Sequence, residues 1–276
     1  MTNLQIIILS ALQGFTEFLP VSSSGHLILL SKFTSFPDQG LEIDIAVHVG
    51  SILAVMIYFW RDIRDMLYGL VNAFFNRFPS VKNFYLRKAS AAAKDFILNQ
   101  LPAADLRLLL MLVVGTVPAV VFGLALHHFG MEWLRSTKII GWNILLFGIL
   151  LWIADRFQPS KRSIADMTYK DAFLIGLAQC LAMIPGWNPS SPIRSITITA
   201  SRFLRLERRE AARFCMLLSV PAIAGAGLLV AAEIWQSGNY ENLHYALSGI
   251  GYSFIASIAA IFIMMKWLKN YTFLPF

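Results

Sequence analysis

Long apolar stretches alternate with short polar interruptions along the chain. Five of them, roughly 41–60, 106–126, 139–155, 213–235 and 246–268, are continuous. Each approaches the ~20 residues that a ~30 Å hydrocarbon layer demands of a spanning helix. Two more are interrupted: 3–32 breaks at LPVSSSG, and 171–204 breaks at IPGWNPSSPIRS. Each half is about 12–15 residues, too short to span alone. A break of Pro, Gly and Ser between two short helices predicts a re-entrant hairpin. Non-helical backbone at membrane depth persists only where protein buries it or it lines a watery cavity. A single kinked helix at each place is the other reading.

Charge orients these elements. Segment 61–105 carries seven Lys and Arg, 156–170 carries four and 202–213 carries five, whereas 127–138 holds two and 236–245 none. The positive-inside rule places the three basic segments in the cytoplasm. The 171–204 hairpin then enters from the cytoplasmic face and the 3–32 hairpin from the outer face. The expected fold is an all-α integral membrane protein with an inverted-topology repeat, two re-entrant hairpins and about five to six transmembrane helices. The single membrane domain 1–276 divides into repeats 1–155 and 171–276. The second repeat reads as one helix short. Such folds place their sites where broken helices from the two halves meet.

Composition agrees with a membrane location. Residues are 57% apolar and only 14% charged, against about 25% charged in soluble domains. The net charge of +7 needs no nucleic acid; cytoplasmic loops and anionic lipid account for it. Cys180 and Cys215 sit in apolar surroundings without a CxxC and are expected to be inert packing residues. The N-terminus MTNLQIIILSAL lacks a basic start and a cleavage site, and is expected to belong to the fold.

The first break concentrates chemistry in QGFTEFLPVSSSGH, residues 13–26. Gln13 and Glu17 are spaced i, i+4 and share a helix face. A carboxylate in lipid is by default functional. With the neighbouring amide oxygen it makes a hard oxygen shell suited to Mg²⁺ or Ca²⁺; a protonated or arginine-paired Glu17 is the alternative. Pro20 ends the first short helix, and Ser22, Ser23, Ser24 and Gly25 form a small-residue turn. The free N–H groups of the helix that follows make an anion site. The serines offer hydrogen bonds or a nucleophile, and His26 a general acid or base. Asp44 and His48, again i, i+4, either face the same cavity or form an interfacial pair.

QGFTEFLPVSSSGH resembles the first signature of the undecaprenyl-diphosphatase family, also called bacitracin-resistance proteins. That signature has Glu or Gln, three residues, Glu, then Pro-x-Ser-Ser-x-Gly-His. The similarity continues through DIAVHVGSILAVMIYFWRDI, GTVPAVVFGL and EAARFCMLLSVPAIAGAGLL. The resemblance implies a membrane enzyme that hydrolyses undecaprenyl diphosphate to the monophosphate with a divalent cation, Mg²⁺ or Ca²⁺. The product is the lipid carrier of cell-wall synthesis, and bacitracin resistance follows. Carried over by position, Gln13 and Glu17 would hold the metal. His26, Ser22, Ser23 and Arg194 would be catalytic, with a serine or water as the nucleophile. Ser24, Gly25, Ser195, Thr197, Asp44 and His48 would bind substrate. The resemblance implies a polyprenyl diphosphate substrate, membrane lipid as surroundings and a location in the bacterial plasma (inner) membrane. A homodimer is compatible with it.

The second signature departs from the family pattern, Pro-Gly-x-Ser-Arg-Ser-Gly followed by a Thr-containing helix. Pro185, Gly186 and the ITIT at 196–199 match, but nine residues, WNPSSPIRS, stand where the family has five. Arg194 is the only arginine in the break and so the candidate clamp for phosphate oxygens. Arg205 stands where many relatives have Gly. These departures motivate two competing readings, an impaired lipid-phosphate-binding homologue and a lipid-phosphate flippase or transporter.

Overall fold

The apolar periodicity is realised as helices in the computed structural model. It describes residues 2–21, 26, 40–88, 90, 106–129, 137–183, 193–237 and 243–276. In chain order they are α1 (Asn3–Phe18), α2 (Gly40–Tyr58), α3 (Trp60–Arg77), α4 (Pro79–Lys88), α5 (Leu106–Phe129), α6 (Thr137–Phe157), α7 (Tyr169–Met183), α8 (Ile193–Phe203), α9 (Arg208–Ser237) and α10 (Leu243–Trp267). A capping box starts α1: Thr2 Oγ1 accepts from the Gln5 N–H at 3.3 Å, and Gln5 Oε1 accepts from the Thr2 N–H at 2.8 Å. Pro118 lies inside α5 and Pro221 inside α9, as neighbouring helices allow in membrane proteins.

Leu106–Ala125 and His244–Trp267 are each long and apolar enough to cross a membrane. Ile45–Tyr58 and Trp60–Arg77 pass that test together but bend by 77° at Phe59. The expected span at 41–60 therefore stops at Tyr58. The segment beyond it, expected only as a basic cytoplasmic stretch, begins with two helices, α3 and α4. Helices also occur at the expected spans 139–155 and 213–235.

The helices pack in reciprocal pairs: α1 and α2 lie on α10, α7 and α9 lie on α5, and α9 also lies on α2. Glycines permit the closest approaches. A Cβ on Gly14 would lie 2.5 Å from Ser253 O of α10, and one on Gly176 would lie 2.1 Å from Gly115 O of α5. Small residues at these crossings let backbones meet without a hydrophobic driving force, which lipid cannot supply between helices. Hydroxyls reinforce the first crossing. Ser51 Oγ is 3.1 Å from Ser253 Oγ and 3.0 Å from Ser257 Oγ, and Ser257 donates to Gly14 O at 3.0 Å.

One end of the bundle is tied by buried charge. Asp155, at the end of α6, accepts from Arg202 Nε of α8 at 3.1 Å, from Arg208 Nε of α9 at 2.7 Å and from the Phe273 N–H at 3.0 Å. Arg202 is fully buried and also donates to Ser160 Oγ, to Gln158 O and to Leu206 O. Four of the five N–H donors of its planar fork are thus occupied and its charge is paired, the conditions under which a buried guanidinium is tolerated. Arg205 closes the turn between α8 and α9 with φ 66°, a left-handed backbone. Its carbonyl accepts from the Lys161 and Arg162 N–H groups.

Candidate active site

The last turns of α1 carry Gln13 and Glu17 inward, and α2 brings His48 to them. All three are buried, at 1%, 7% and 5% exposure. Gln13 Nε2 donates to Glu17 Oε2 at 2.8 Å and lies 3.1 Å from His48 Nε2. His48 Nε2 is itself 3.9 Å from Glu17 Oε2. One amide therefore bridges a carboxylate and an imidazole from a different helix. The i, i+4 spacing of Gln13 and Glu17 made the first contact legible. The position of His48 needed the close α1–α10–α2 packing, in which Gly14 sits beside Gln13.

The amide oxygen is left over. Gln13 Oε1 is buried and has no hydrogen-bond partner among the described residues. A buried orphan acceptor is costly and calls for an explanation. Beside the Glu17 carboxylate it is a buried hard oxygen donor, the kind of ligand that Mg²⁺ or Ca²⁺ prefers.

The second break approaches this site through α8. Ser195 Oγ donates to Pro20 O at 3.0 Å, joining the first turn of α8 to the residue that ends the first short helix. Thr197 is 2% exposed. Thr199 donates to Ser195 O at 2.5 Å and Ser201 to Thr197 O at 2.8 Å. Thr199 and Ser201 thus satisfy themselves on backbone carbonyls of the preceding turn. His26 is helical and exposed. Ser22, Ser23, Ser24 and Gly25 lie outside the described residues, as does the break 184–192. Arg194 and Asp44 are placed only by their helices, Arg194 in the first turn of α8 and Asp44 in the second turn of α2. Both cysteines are buried, as packing residues would be.

The Asp155–Arg202–Arg208 cluster was missed in the sequence. Its signal was present: a lone Asp in LLWIADRF and an Arg after ITITAS, both charges inside apolar runs.

A family model described as Bacitracin resistance protein BacA matches residues 6–276. The chain belongs to this family. Curated relatives named undecaprenyl-diphosphatase cover all of the chain. Those of Ruegeria pomeroyi and Hahella chejuensis are each 39% identical, over 94% and 93% of their own lengths. That of Alteromonas mediterranea is 38% identical over 94% of its length. Membership, together with the apolar helices, makes the chain a membrane protein.

Proposed function

We infer that this chain is a phosphatase that hydrolyses undecaprenyl diphosphate to undecaprenyl phosphate and inorganic phosphate, and that the Gln13–Glu17–His48 cluster is the heart of its site. Family membership carries the reaction. The observation that carries the site is the Ser195–Pro20 hydrogen bond, which brings the second break to the first. It supports Arg194, next to Ser195, as the phosphate clamp despite the longer WNPSSPIRS turn.

Diphosphate hydrolysis requires neutralised charge, in-line positioning and a route for protons. Gln13 Oε1 and the Glu17 carboxylate would hold the divalent cation, which when bound supplies the positive charge that polarises phosphate oxygens. Ser22–Gly25 and the N–H groups behind them would seat the phosphate. His26, an exposed side chain, exchanges the proton with the leaving group or with the nucleophile. His48, fixed by Gln13, orients the donor set as an outer partner.

The inverted repeat, with hairpin 3–32 entering from the outer face, is part of the same reading. Its support is the reciprocal packing: α1 lies on α10 as α7 lies on α5, while α2 and α9 lie on each other. The Gly14 and Gly176 approaches fall on the two equivalent crossings. An apolar groove between α5 and α7, lined by Val117, Val121, Phe173, Leu177 and Leu181, offers a bed for the prenyl tail. It contributes no chemistry, since its lining carries no charged group.

Phosphate release by the full chain in detergent tests the reading. Release should stop on chelation and return with Mg²⁺ or Ca²⁺. Release that persists in chelator would refute the metal. No release in any metal, with undecaprenyl phosphate crossing vesicles, would favour a carrier instead.

A further inference from the structure

The helix that follows the bend at Phe59 has three distinct sides. Met66 and Gly69 are buried against the bundle. Asp62, on that same side, is ion-paired with Arg213 of α9. A second side, at 100° per residue, aligns Trp60, Leu67, Leu70, Val71, Phe74 and the adjoining Phe78. All six are between 41% and 54% exposed. The third side is polar, with Arg61, Asp65, Asn72 and Asn76. An apolar stripe of that length, adjacent to a polar one, has no place in water.

The geometry says where it goes. α2 packs against α10, which is long and apolar enough to span, and α3 leaves α2 at 77°. A helix nearly perpendicular to a spanning one runs along the membrane plane. The charge is also one-sided. Residues 60–88 hold six basic and two acidic residues, a net charge of +4. Both acids are already engaged: Asp62 by Arg213, and Asp65 by Arg64 at 2.7 Å. The basic groups sit at the edge of the apolar stripe. The guanidinium of Arg64 lies 4.9 Å from the Trp60 ring centre, that of Arg61 lies 5.8 Å from it, and that of Arg77 lies 5.8 Å from the Phe78 ring. An aromatic at headgroup level with a cation beside it is the composition of interfacial helices on anionic membranes.

We propose that α3 lies flat in the bilayer interface, burying its Trp60–Phe78 stripe among acyl chains, while Arg61, Arg77, Lys82 and Arg87 bind the headgroups of anionic phospholipids. This surface is separate from the Gln13–Glu17–His48 site, and its test does not use phosphate release. Single cysteines at Val71 and Asn76 would carry a fluorophore, in the full chain in nanodiscs; Cys180 and Cys215 are buried. The Val71 label should be quenched by brominated acyl chains and spared by aqueous iodide, and the Asn76 label the reverse. In a second arm, native mass spectrometry should show phosphatidylglycerol retained on the chain in preference to phosphatidylcholine. Replacing Arg61, Arg77, Lys82 and Arg87 together by Gln should weaken that retention about tenfold or more. Equal iodide quenching at both positions would overturn the interfacial helix. Equal retention of the two lipids by the unaltered chain would overturn the anionic partner. A Val71 label shielded in lipid-free detergent, with copies cross-linking through it, would replace the lipid by a second copy of the chain.

Discussion

Asp155→Asn is the sharpest perturbation of the scaffold that delivers α8 to the site. The carboxylate accepts three hydrogen bonds, from Arg202, Arg208 and the Phe273 N–H, and is 5% exposed. Losing one partner of a buried ion pair costs about 3–5 kcal/mol, because the remaining charge stays buried. Two features pull the figure toward the lower end. Arg202 keeps Ser160 Oγ and Gln158 O as partners, and the Arg208 side chain is 28% exposed and so partly solvated. About 3 kcal/mol remains. At ~2–4 °C per kcal/mol for a chain of this size, the melting temperature in detergent should fall by about 6–12 °C. The double variant Asp155→Leu with Arg202→Met should recover part of that loss, since it removes the fully buried charge together with its partner and leaves only Arg208, which is partly exposed, without the carboxylate. Thermal unfolding followed by circular dichroism reads both. An Asn variant within about 2 °C of the parent, or a double variant as damaged as the summed singles, would refute the reasoning.

Gly176→Ala should separate α7 from α5, because the added Cβ would meet backbone, Gly115 O, at 2.1 Å; a loss of about 1–3 kcal/mol in thermal unfolding is expected. Arg205→Gly should stabilise the chain by up to about 1 kcal/mol, since the left-handed φ of 66° disfavours a residue with a Cβ, and the melting temperature should rise. Asp166 titrates below the ordinary carboxylate range because the Ser163 N–H and hydroxyl donate to its carboxylate. Its depressed folded pKa means that its contribution is present above the unfolded value and lost as pH falls through the folded one. The difference in melting temperature between the parent and Asp166→Asn should therefore shrink on acidification from about pH 5 to about pH 3.

Long apolar runs identified the helices, since composition alone forces them to be buried or in lipid, and the Gln13–Glu17 contact follows from helical spacing. Three features were not legible for physical reasons. His48 reaches Gln13 only because Gly14 and Ser257 let α1 seat tightly on α10, a tertiary fact with no local signature. The α3 stripe was hidden in a segment read for its charge: counting arginines between 61 and 105 conceals the periodicity of the apolar residues between them. Several arginines of the basic segments are structural ties. Arg162 pairs with Asp171 at 2.6 Å, and Arg202 and Arg208 with Asp155. A positive-inside count cannot separate those from solvated charges.

The central claim is that Glu17, bridged by Gln13 to His48, is the acidic centre of a diphosphate-hydrolysing site. The direct measurement is the rate of phosphate release from undecaprenyl diphosphate by Glu17→Gln, against the parent and a control outside the cluster, Ser248→Ala, whose hydroxyl donates only within its own helix to His244 O. The Gln variant should retain the fold, shown by an unchanged melting temperature, and lose about 10²-fold or more in rate, with Ser248→Ala unaffected. A Glu17→Gln chain that releases phosphate within about twofold of the parent would contradict the assignment of this cluster as the active site.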